Sequence, residues 1–242
     1  MARSFVTAGS VDVINGGDLT AMDGLVNFSI AYWGNRVSTD QIVVGRSSSG
    51  TSAFWLQQQN TRVVCLFRDG GTQFANWDNT DTGWHHYACV FDGSQATDAL
   101  KLKFYFDAVE KTLTYNNGAT ITAMPTHTAD FKAGESNTIY SDGDIAEVRT
   151  WDVSLSAGDI YSDFAGKIPR SANLIQNWPI GYGSPEPDLS GNGNNGTIGG
   201  SPAISDHPPV ASLYGYDDQA AYVVAAATGP PVGSLSMSGV GR

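Results

Sequence analysis

The chain has 242 residues with a formal net charge of −11, and 41% of them are hydrophobic. Only 15% are charged, against about 25% in an average protein, so neither a disordered chain nor a coiled coil is expected. The acidic charge disfavours duplex nucleic acid and anionic membranes as partners, and no apolar run approaches the ~18 residues of a membrane-spanning helix.

Short strand-like runs fill most of the chain up to Trp151. Val, Ile, Phe, Tyr and Trp recur with a period of two between turns of Gly, Asp, Asn and Ser, which is typical of a sandwich or barrel. In the run Val26–Trp33, apolar residues alternate with a row that begins Asn27 and Ser29, so we expect a strand with one buried face. The predicted strands are Ser10–Ile14, Val26–Trp33, Gln41–Gly45, Ala53–Gln57, Arg62–Phe67, Gln73–Trp77, His85–Phe91, Leu102–Asp107, Lys111–Tyr115, Ser136–Tyr140 and Ile145–Trp151.

One helix is predicted after these strands. Ser156 is a good N-cap with Asp159 at the third helical position, and Leu155 and Ile160 form a hydrophobic staple across the cap. Gly166 ends the helix. We expect a short amphipathic helix packed on the edge of a sheet.

The composition changes at Asp206. Residues 206–242 are rich in Pro, Gly, Ala and Ser, so we interpret residues 1–205 as one sandwich and 206–242 as an extended tail. Ordering such a tail costs on the order of 40–70 kcal/mol, so an ordered tail has to bury an area typical of a protein interface. We therefore expect it to dock on other subunits, in a homo-oligomer or a capsid lattice, the alternative being its own domain. The anchors would be Tyr214, Tyr216, Tyr222, Val223 and Val224.

Two further features bear on location and redox state. Cys65 and Cys89 each lie in an apolar run, as two buried thiols or as one cross-strand disulfide. The residues after Met1 show no basic segment followed by an apolar stretch, so no Sec signal is visible. The chain would then stay where it is made, leave by another route, or be displayed on a particle assembled inside the cell.

Three local patterns resemble known sites but lack the required context. Gly191–Gly196 fits the dinucleotide-binding fingerprint, but the Gly- and Pro-containing segment after it cannot form the necessary helix. Asp78–Gly83 begins like an EF-hand loop, but Cys89 occupies the position of the bidentate Glu. His85 and His86 are neighbours in a strand and face opposite sides, so they cannot share a metal ion.

A carboxylate pair for glycan cleavage is also missing. A retaining glycosidase needs two carboxyl groups about 5–5.5 Å apart. The best local pair is Asp144 and Glu147, and their spacing of three predicts opposite faces of a strand. The sequence therefore disfavours an enzyme.

Three segments resemble laminin-G-like, concanavalin A-like jelly rolls. Gly83–Gly93 resembles the central strand of these domains, Asp144–Ser156 their last strand and the short helix after it, and Phe28–Trp33 an early strand. The segments occur in the right order and cover roughly residues 4–167. The resemblance implies an all-β fold: an antiparallel β-sandwich jelly roll with one short helix, here followed by an extended C-terminal arm.

A fourth segment is out of order. Leu174–Ile180, followed by Asp188–Thr197, is similar to the stretch that usually opens such domains. We expect a circular permutation in which residues 174–200 supply the first strand, because chain termini in compact domains often lie close together. The alternative is a truncated second module.

The resemblance also suggests what the chain binds. Members mostly bind glycans or proteins, often with calcium held in loops. Asp142 and Asp144 would then hold Ca²⁺, and no other cofactor is required; a solvated turn is the alternative. Trp77, which is flanked by Asn76 and Asp78, would stack on a sugar ring. The alternative is that Trp77 is a core or edge aromatic.

Our first hypothesis is a non-enzymatic structural or surface protein of a large assembly. Specifically, we expect a capsid decoration or adhesion protein on the virion surface of a phage or virus. A free, lectin-like carbohydrate-binding module, extracellular by a non-Sec route, is the first alternative. A glycoside hydrolase or polysaccharide lyase is the second.

Overall fold

The structure is a computed structural model of the chain. It describes residues 1–6, 12–37, 42–48, 52–69, 72–116, 121–126, 128–136 and 139–209. The predicted docking residues Tyr214, Tyr216, Tyr222, Val223 and Val224 lie outside this part, so their role stays a prediction.

Strands dominate the described residues. In chain order they are β1 (Ala2–Phe5), β2 (Val13–Asn15), β3 (Asn27–Arg36), β4 (Ile42–Ser48), β5 (Ser52–Gln59), β6 (Arg62–Asp69), β7 (Thr72–Asp78), β8 (Gly83–Asp92), β9 (Leu102–Phe106), β10 (Val109–Lys111), β11 (Thr114–Asn116), β12 (Phe131–Ala133), β13 (Glu135–Ser136), β14 (Ile139–Tyr140), β15 (Gly143–Trp151), β16 (Leu174–Trp178), β17 (Thr197–Gly199) and β18 (Ala203–Ser205). The helices are α1 (Asp98–Lys101) and α2 (Ala157–Phe164), with 3₁₀ turns at Thr20–Met22 and Ser171–Asn173.

All of these strands except β13 and β14, which pair only with each other among the described residues, form two antiparallel sheets packed face to face. Sheet 1 has the order β10-β9-β8-β3-β15-β1-β18, with β16 also paired to β15, and sheet 2 has the order β11-β7-β6-β5-β4-β12-β2-β17. The core between them is built from alternate side chains of both sheets, such as Phe28, Phe54 and Phe104, which are fully buried. The predicted all-β antiparallel sandwich with a short helix is confirmed.

The segment after α2 belongs to the same body. β16 pairs with β15, β17 with β2, and β18 with β1. Residues 174–205 therefore contribute strands to both sheets, while the origin of this arrangement by circular permutation stays a prediction. The fingerprint-like Gly191–Gly196 leads into β17 and not into a helix. Among the described residues, no helix is long and apolar enough to cross a bilayer.

Strand β3 is buried on both faces, so the expectation of one buried face is wrong. Ser29 and Ala31, on the side away from the core, are as fully buried as Phe28. The reason is that α2 covers this outer face: Ile160 packs in one apolar cluster with Ala31 and residues of neighbouring strands. Such a strand loses the polar row that usually marks the solvent side.

Helix α2 begins at the predicted N-cap but does not pack at the predicted position on the sheet. The Ser156 side chain accepts a hydrogen bond from the Asp159 N–H, and the Asp159 side chain accepts one from the Ser156 N–H, which completes a capping box. The cluster beneath Ile160 includes side chains of β3, β8, β9 and β15, so the helix packs across the centre of sheet 1. The expected position on a sheet edge is therefore wrong.

The two cysteines are free thiols. Cys65 on β6 and Cys89 on β8 are both buried in the core between the sheets. Burial, and the hydrogen bond and charge of the neighbouring Cys65 thiol, raise the pKa of Cys89 well above its usual value. Cys89 is therefore protonated in the folded protein, and burial shields both thiols from reagents in solution.

Candidate ligand-binding site

One end of the sandwich gathers the predicted ligand- and metal-binding residues. We call it the turn end: it comprises the β5–β6 turn (Asn60–Thr61), the β7–β8 loop (Asn79–Thr82), the β9–β10 turn (Asp107–Ala108) and the residues before β15 (Ser141–Asp142). The strand registers place these segments together, because Arg36 pairs with Gly83, Gln59 with Arg62, and Arg62 with Asp78. Residues far apart in sequence thus meet where their strands begin or end.

An open cleft of about 320 Å³ lies at this end, lined by Gln59, Asn60, Thr61 and Arg62. Within it, Arg62 Nε donates to Gln59 Oε1 at 2.7 Å, and Gln59 Nε2 donates to Gln57 Oε1 at 3.0 Å. The side chains are therefore held in a line across neighbouring strands. Amide, hydroxyl and guanidinium groups in such an array can donate to and accept from the hydroxyl groups of a polar ligand.

Arg36, on the core side of the turn end, forms hydrogen bonds to both the β5–β6 turn and the β7–β8 loop. Its guanidinium donates to the Gln59 and Asn60 carbonyls at 2.8 and 3.3 Å, and to the Asn79 carbonyl at 3.3 Å. Two further N–H groups donate to the Asp81 carbonyl at 3.1 and 2.7 Å. One buried side chain thus fixes the β5–β6 turn and the β7–β8 loop relative to each other, which keeps the cleft in one shape.

A layer of buried polar side chains lies on the inner side of Arg36. Tyr32 and Tyr87 stack with their ring centroids 5.4 Å apart, and Gln58 fills the space over Gly34, which has no side chain to exclude it. Burial raises the pKa of both tyrosines, so their hydroxyl groups stay neutral. The layer gives Arg36 uncharged, buried neighbours on its inner side.

Trp77 faces the core side of β7, unlike its two neighbours. Its ring lies 5.0 Å from that of Phe106, and Lys111 Nζ lies 5.1 Å from the Trp77 ring centroid. Because side chains alternate along a strand, Asn76 and Asp78 face the outer surface. The structure therefore places the three residues at one end of the sandwich but does not bring them onto one face, and sugar stacking by Trp77 stays a prediction.

The predicted calcium residues lie at the same end, by β15. Asp144 Oδ2 accepts a hydrogen bond from Asn35 Nδ2 at 2.7 Å. Within the described ranges, no group of three or more His, Cys, Asp or Glu side chains is close enough to hold a metal ion. Calcium binding by Asp142 and Asp144 stays a prediction.

Carboxylates distant from the cleft form a buried network beneath α2. Arg149 bonds to Glu147 and, at 2.9 Å, to Asp163, whose second oxygen lies 2.9 Å from His86 Nε2. Burial would raise the pKa of Asp163, but Arg149 and His86 hold it below its usual value, whereas burial raises the pKa of Glu147. These contacts join the helix to the sheet, and the charged groups are paired with one another.

This network corrects one expectation and confirms another. A β-bulge between Ala146 and Arg149 puts Glu147 at φ 53°, which breaks the alternation, so Glu147 reaches Arg149 on the outer side of sheet 1. The expectation that Asp144 and Glu147 lie on opposite faces is therefore wrong. His85 and His86 do face opposite sides: the His85 ring stacks on Phe106, and the His86 ring contacts Asp163.

Sequence reasoning missed the cleft and Arg36. The available signal was the polar stretch Gln57–Arg62 between two apolar strands, and an arginine in the inward-facing row of β3. Neither pattern indicates which groups these side chains contact, because their partners lie on other strands.

Comparison with known proteins identifies the family. A laminin-G-type family model, described as the concanavalin A-like lectin/glucanases superfamily, matches residues 9–161, more than half of the chain. The chain belongs to this superfamily. No curated protein matches the chain.

Solved structures share the fold at low identity. A candidate carbohydrate-binding protein from Bacteroides ovatus matches 87% of the chain with a TM-score of 0.63 and 15% identity. The heptameric SAP-like pentraxin of Limulus polyphemus matches 70% of this chain and 83% of its own, with a TM-score of 0.49 and 9% identity. The receptor-binding domain of botulinum neurotoxin D matches 58% with a TM-score of 0.44 and 14% identity. This chain spans 61% of the length of the Bacteroides protein and 37% of that of the toxin domain.

Proposed function

We propose that this superfamily member is a non-enzymatic, glycan-binding surface domain whose site is the turn end. The observation that carries the proposal is the cleft lined by Gln59, Asn60, Thr61 and Arg62 and held in shape by Arg36. Sugar hydroxyl groups need fixed donors and acceptors, and a prearranged site avoids the entropy cost of ordering them on binding. The candidate carbohydrate-binding protein of the same fold supports this class of ligand.

Binding is favoured over cleavage by what surrounds the buried carboxylates. Glu147 and Asp163 are paired with Arg149 beneath α2, while the cleft lining holds amide, hydroxyl and guanidinium groups. A hydrolase needs a free carboxyl pair facing its substrate. Release of reducing ends from a panel of polysaccharides would contradict this part of the proposal.

A glycan array with matched variants tests the binding site. We expect the wild-type chain to bind a subset of glycans, and Gln59→Ala to weaken binding about ten-fold because it removes the link between Gln57 and Arg62. Gln95→Ala is the control, since Gln95 bonds to Asp92 beyond the opposite end of β8. Absence of binding to every glycan, or equal weakening by both variants, would refute the proposal.

We further propose that the domain is carried on a large assembly, as a decoration or adhesion protein of a phage or virus particle. The support is the segment that leads into residues 210–242: Pro208 is buried, and His207 Nε2 lies 3.4 Å from Glu147 Oε1 on the outer side of sheet 1. The described chain is therefore held against sheet 1 as far as Pro208. We propose that residues 210–242 dock on neighbouring subunits.

Light scattering tests this second proposal. We would compare the full chain with one ending at Pro209, which keeps the contacts of His207 and Pro208, each with and without Ca²⁺. Assembly of the full chain alone supports docking by the arm. If both chains are monomeric, or both assemble equally, an arm that joins copies of this chain is refuted. An effect of Ca²⁺ on either would support the calcium site at Asp142 and Asp144.

A further inference from the structure

Arg36 differs from the other buried arginines. Four arginines are buried among the described residues. Three form ion pairs: Arg3 with Glu186, Arg46 with Asp18 and Asp23, and Arg149 with Glu147 and Asp163. Arg36, only 2% exposed, forms none with a described residue and donates to backbone carbonyls alone. A buried cation without a counter-charge is costly, so its place beneath the cleft needs an explanation.

The carbonyls around Arg36 fix the direction of the N–H groups that follow them. In a trans peptide the C=O and the next residue's N–H point in opposite directions. Each carbonyl turned towards Arg36 therefore turns the N–H of Asn60, Thr61, Thr80 or Thr82 away from it, and these four residues are exposed. None of the four N–H groups donates a hydrogen bond within the described part of the chain.

Arg62 adds a second positive charge at the same place. Its side chain is exposed at the cleft, and the one hydrogen bond it forms with described residues runs from Nε to Gln59. Asp78 lies opposite Arg62 in the strand pairing, yet the two form no ion pair in the described structure.

The Gln59 and Asn60 carbonyls both accept from the same nitrogen, Nη1, of Arg36. The successive N–H groups of Asn60 and Thr61 are therefore turned to the same side of the turn, which lines the cleft together with Arg62. Two such N–H groups over a buried cation, beside the Arg62 guanidinium, form a site for negative charge.

Other charges at the turn end limit the strength of this site. The carboxylates of Asp78 and Asp81 are exposed there, while Asp107 is engaged by His85 at 2.7 Å. The chain as a whole is also acidic. Weak binding that falls as salt rises is therefore expected, with Asp81 opposing it and Arg62 favouring it.

We propose that the turn end binds an anionic group, the carboxylate or sulfate of an acidic sugar, through the N–H groups of Asn60 and Thr61 and the guanidinium of Arg62. Arg36 acts as a positioning residue: its own N–H groups are all occupied, so it orients the peptide groups and supplies positive charge from below. The ligand class rests on the proposed glycan-binding function, but the anion site itself can be tested without it.

The test is an amide NMR titration of the full chain with sodium glucuronate, sodium sulfate and glucose at constant ionic strength. We expect saturable shifts of the Asn60 and Thr61 amides with an anion, at millimolar concentrations, and none with glucose. Arg62→Gln should weaken anion binding about five-fold or more, and Asp81→Asn should strengthen it. Arg170→Gln, which alters an exposed arginine paired with Asp159 near α2, is the control and should change nothing.

Each outcome decides between the proposals. No shift with either anion, equal shifts with glucose, or equal binding by wild type and Arg62→Gln would overturn the anion site. If the array detects neutral glycans only and the titration is silent, glycan binding stands and the acidic class is wrong. If the titration succeeds and the array is silent, the anion site stands and the glycan function is wrong. Tighter binding of glucuronate than of sulfate identifies the carboxylate as the preferred group, and the reverse identifies the sulfate.

Discussion

Arg149 Nη1 donates to Asp163 Oδ1 at 2.9 Å, and this contact joins the central strand β15 of sheet 1 to helix α2. The side chains of both residues are at least 96% buried. The same guanidinium bonds to Glu147 and, at 3.1 Å, to Asn177 on β16. One arginine thus connects three elements that are separate in sequence.

Replacing Arg149 with Met should destabilise the fold by about 3–5 kcal/mol, because Glu147 and Asp163 would stay buried without a counter-charge. The matched control is Arg170→Met, which removes an exposed arginine 3.3 Å from Asp159 and should cost only about 0–1 kcal/mol. Urea denaturation followed by tryptophan fluorescence measures both. Equal losses in the two variants would show that the buried network does not stabilise the protein.

Stability should fall with pH below neutrality, in part through His207. Burial, together with nearby positive charge that includes Arg149, lowers the pKa of His207 to about 4. In the unfolded chain the pKa is about 6.5, so the unfolded state takes up the proton first and stability is lost as pH falls from about 6.5 towards 4. Because the side chain is partly exposed, solvent reduces the effect to about 1 kcal/mol.

His207→Gln isolates this contribution. The variant should lose less stability than wild type between pH 7 and pH 4.5, when urea denaturation is compared at the two values. Identical pH dependence would show that His207 titrates normally and that its contact with Glu147 does not form in solution.

The capping box of α2 gives a third test. Ser156→Ala removes the hydrogen bond from the Asp159 N–H, at 3.1 Å, and should destabilise the protein by about 1 kcal/mol. Ser162→Ala is a matched control within the helix, because the Ser162 hydroxyl only donates to the Gly158 carbonyl one turn earlier. Thermal unfolding of both variants should show a lower Tm for Ser156→Ala alone.

The thiols of Cys65 and Cys89 should not react in the folded protein. Both are buried between the sheets, and burial raises the pKa of Cys89. We expect negligible alkylation by iodoacetamide in native buffer and labelling of both residues in urea without a reductant, read by mass spectrometry. Labelling of neither residue in urea would reveal a disulfide.

Several features could be predicted from the sequence because they depend on near neighbours. The period of two in runs such as His85–Phe91 and Arg62–Phe67 reflects side chains pointing alternately from a strand, and strands form at both places. The capping box depends on residues three apart in one turn, so Ser156 and Asp159 identified it directly.

The candidate site could be predicted only in part. Asn76, Trp77, Asp78, Asp142 and Asp144 all lie near the turn end, but the cleft residues Gln59 and Arg62 escaped notice. From the sequence alone, a polar turn cannot be distinguished from an ordinary solvated hairpin turn, because the strands beside it are not known.

The tertiary structure alone decided which face of a strand is covered and which charges meet. The sequence by itself determined most of the longer strands, the helix start and the sandwich class, since each arises from local periodicity or capping. Packing of α2 buried the second face of β3, a bulge redirected Glu147, and strand register placed Arg36 beneath two turns. These contacts join residues distant in the chain, and their energies depend on burial and partners that no local pattern contains.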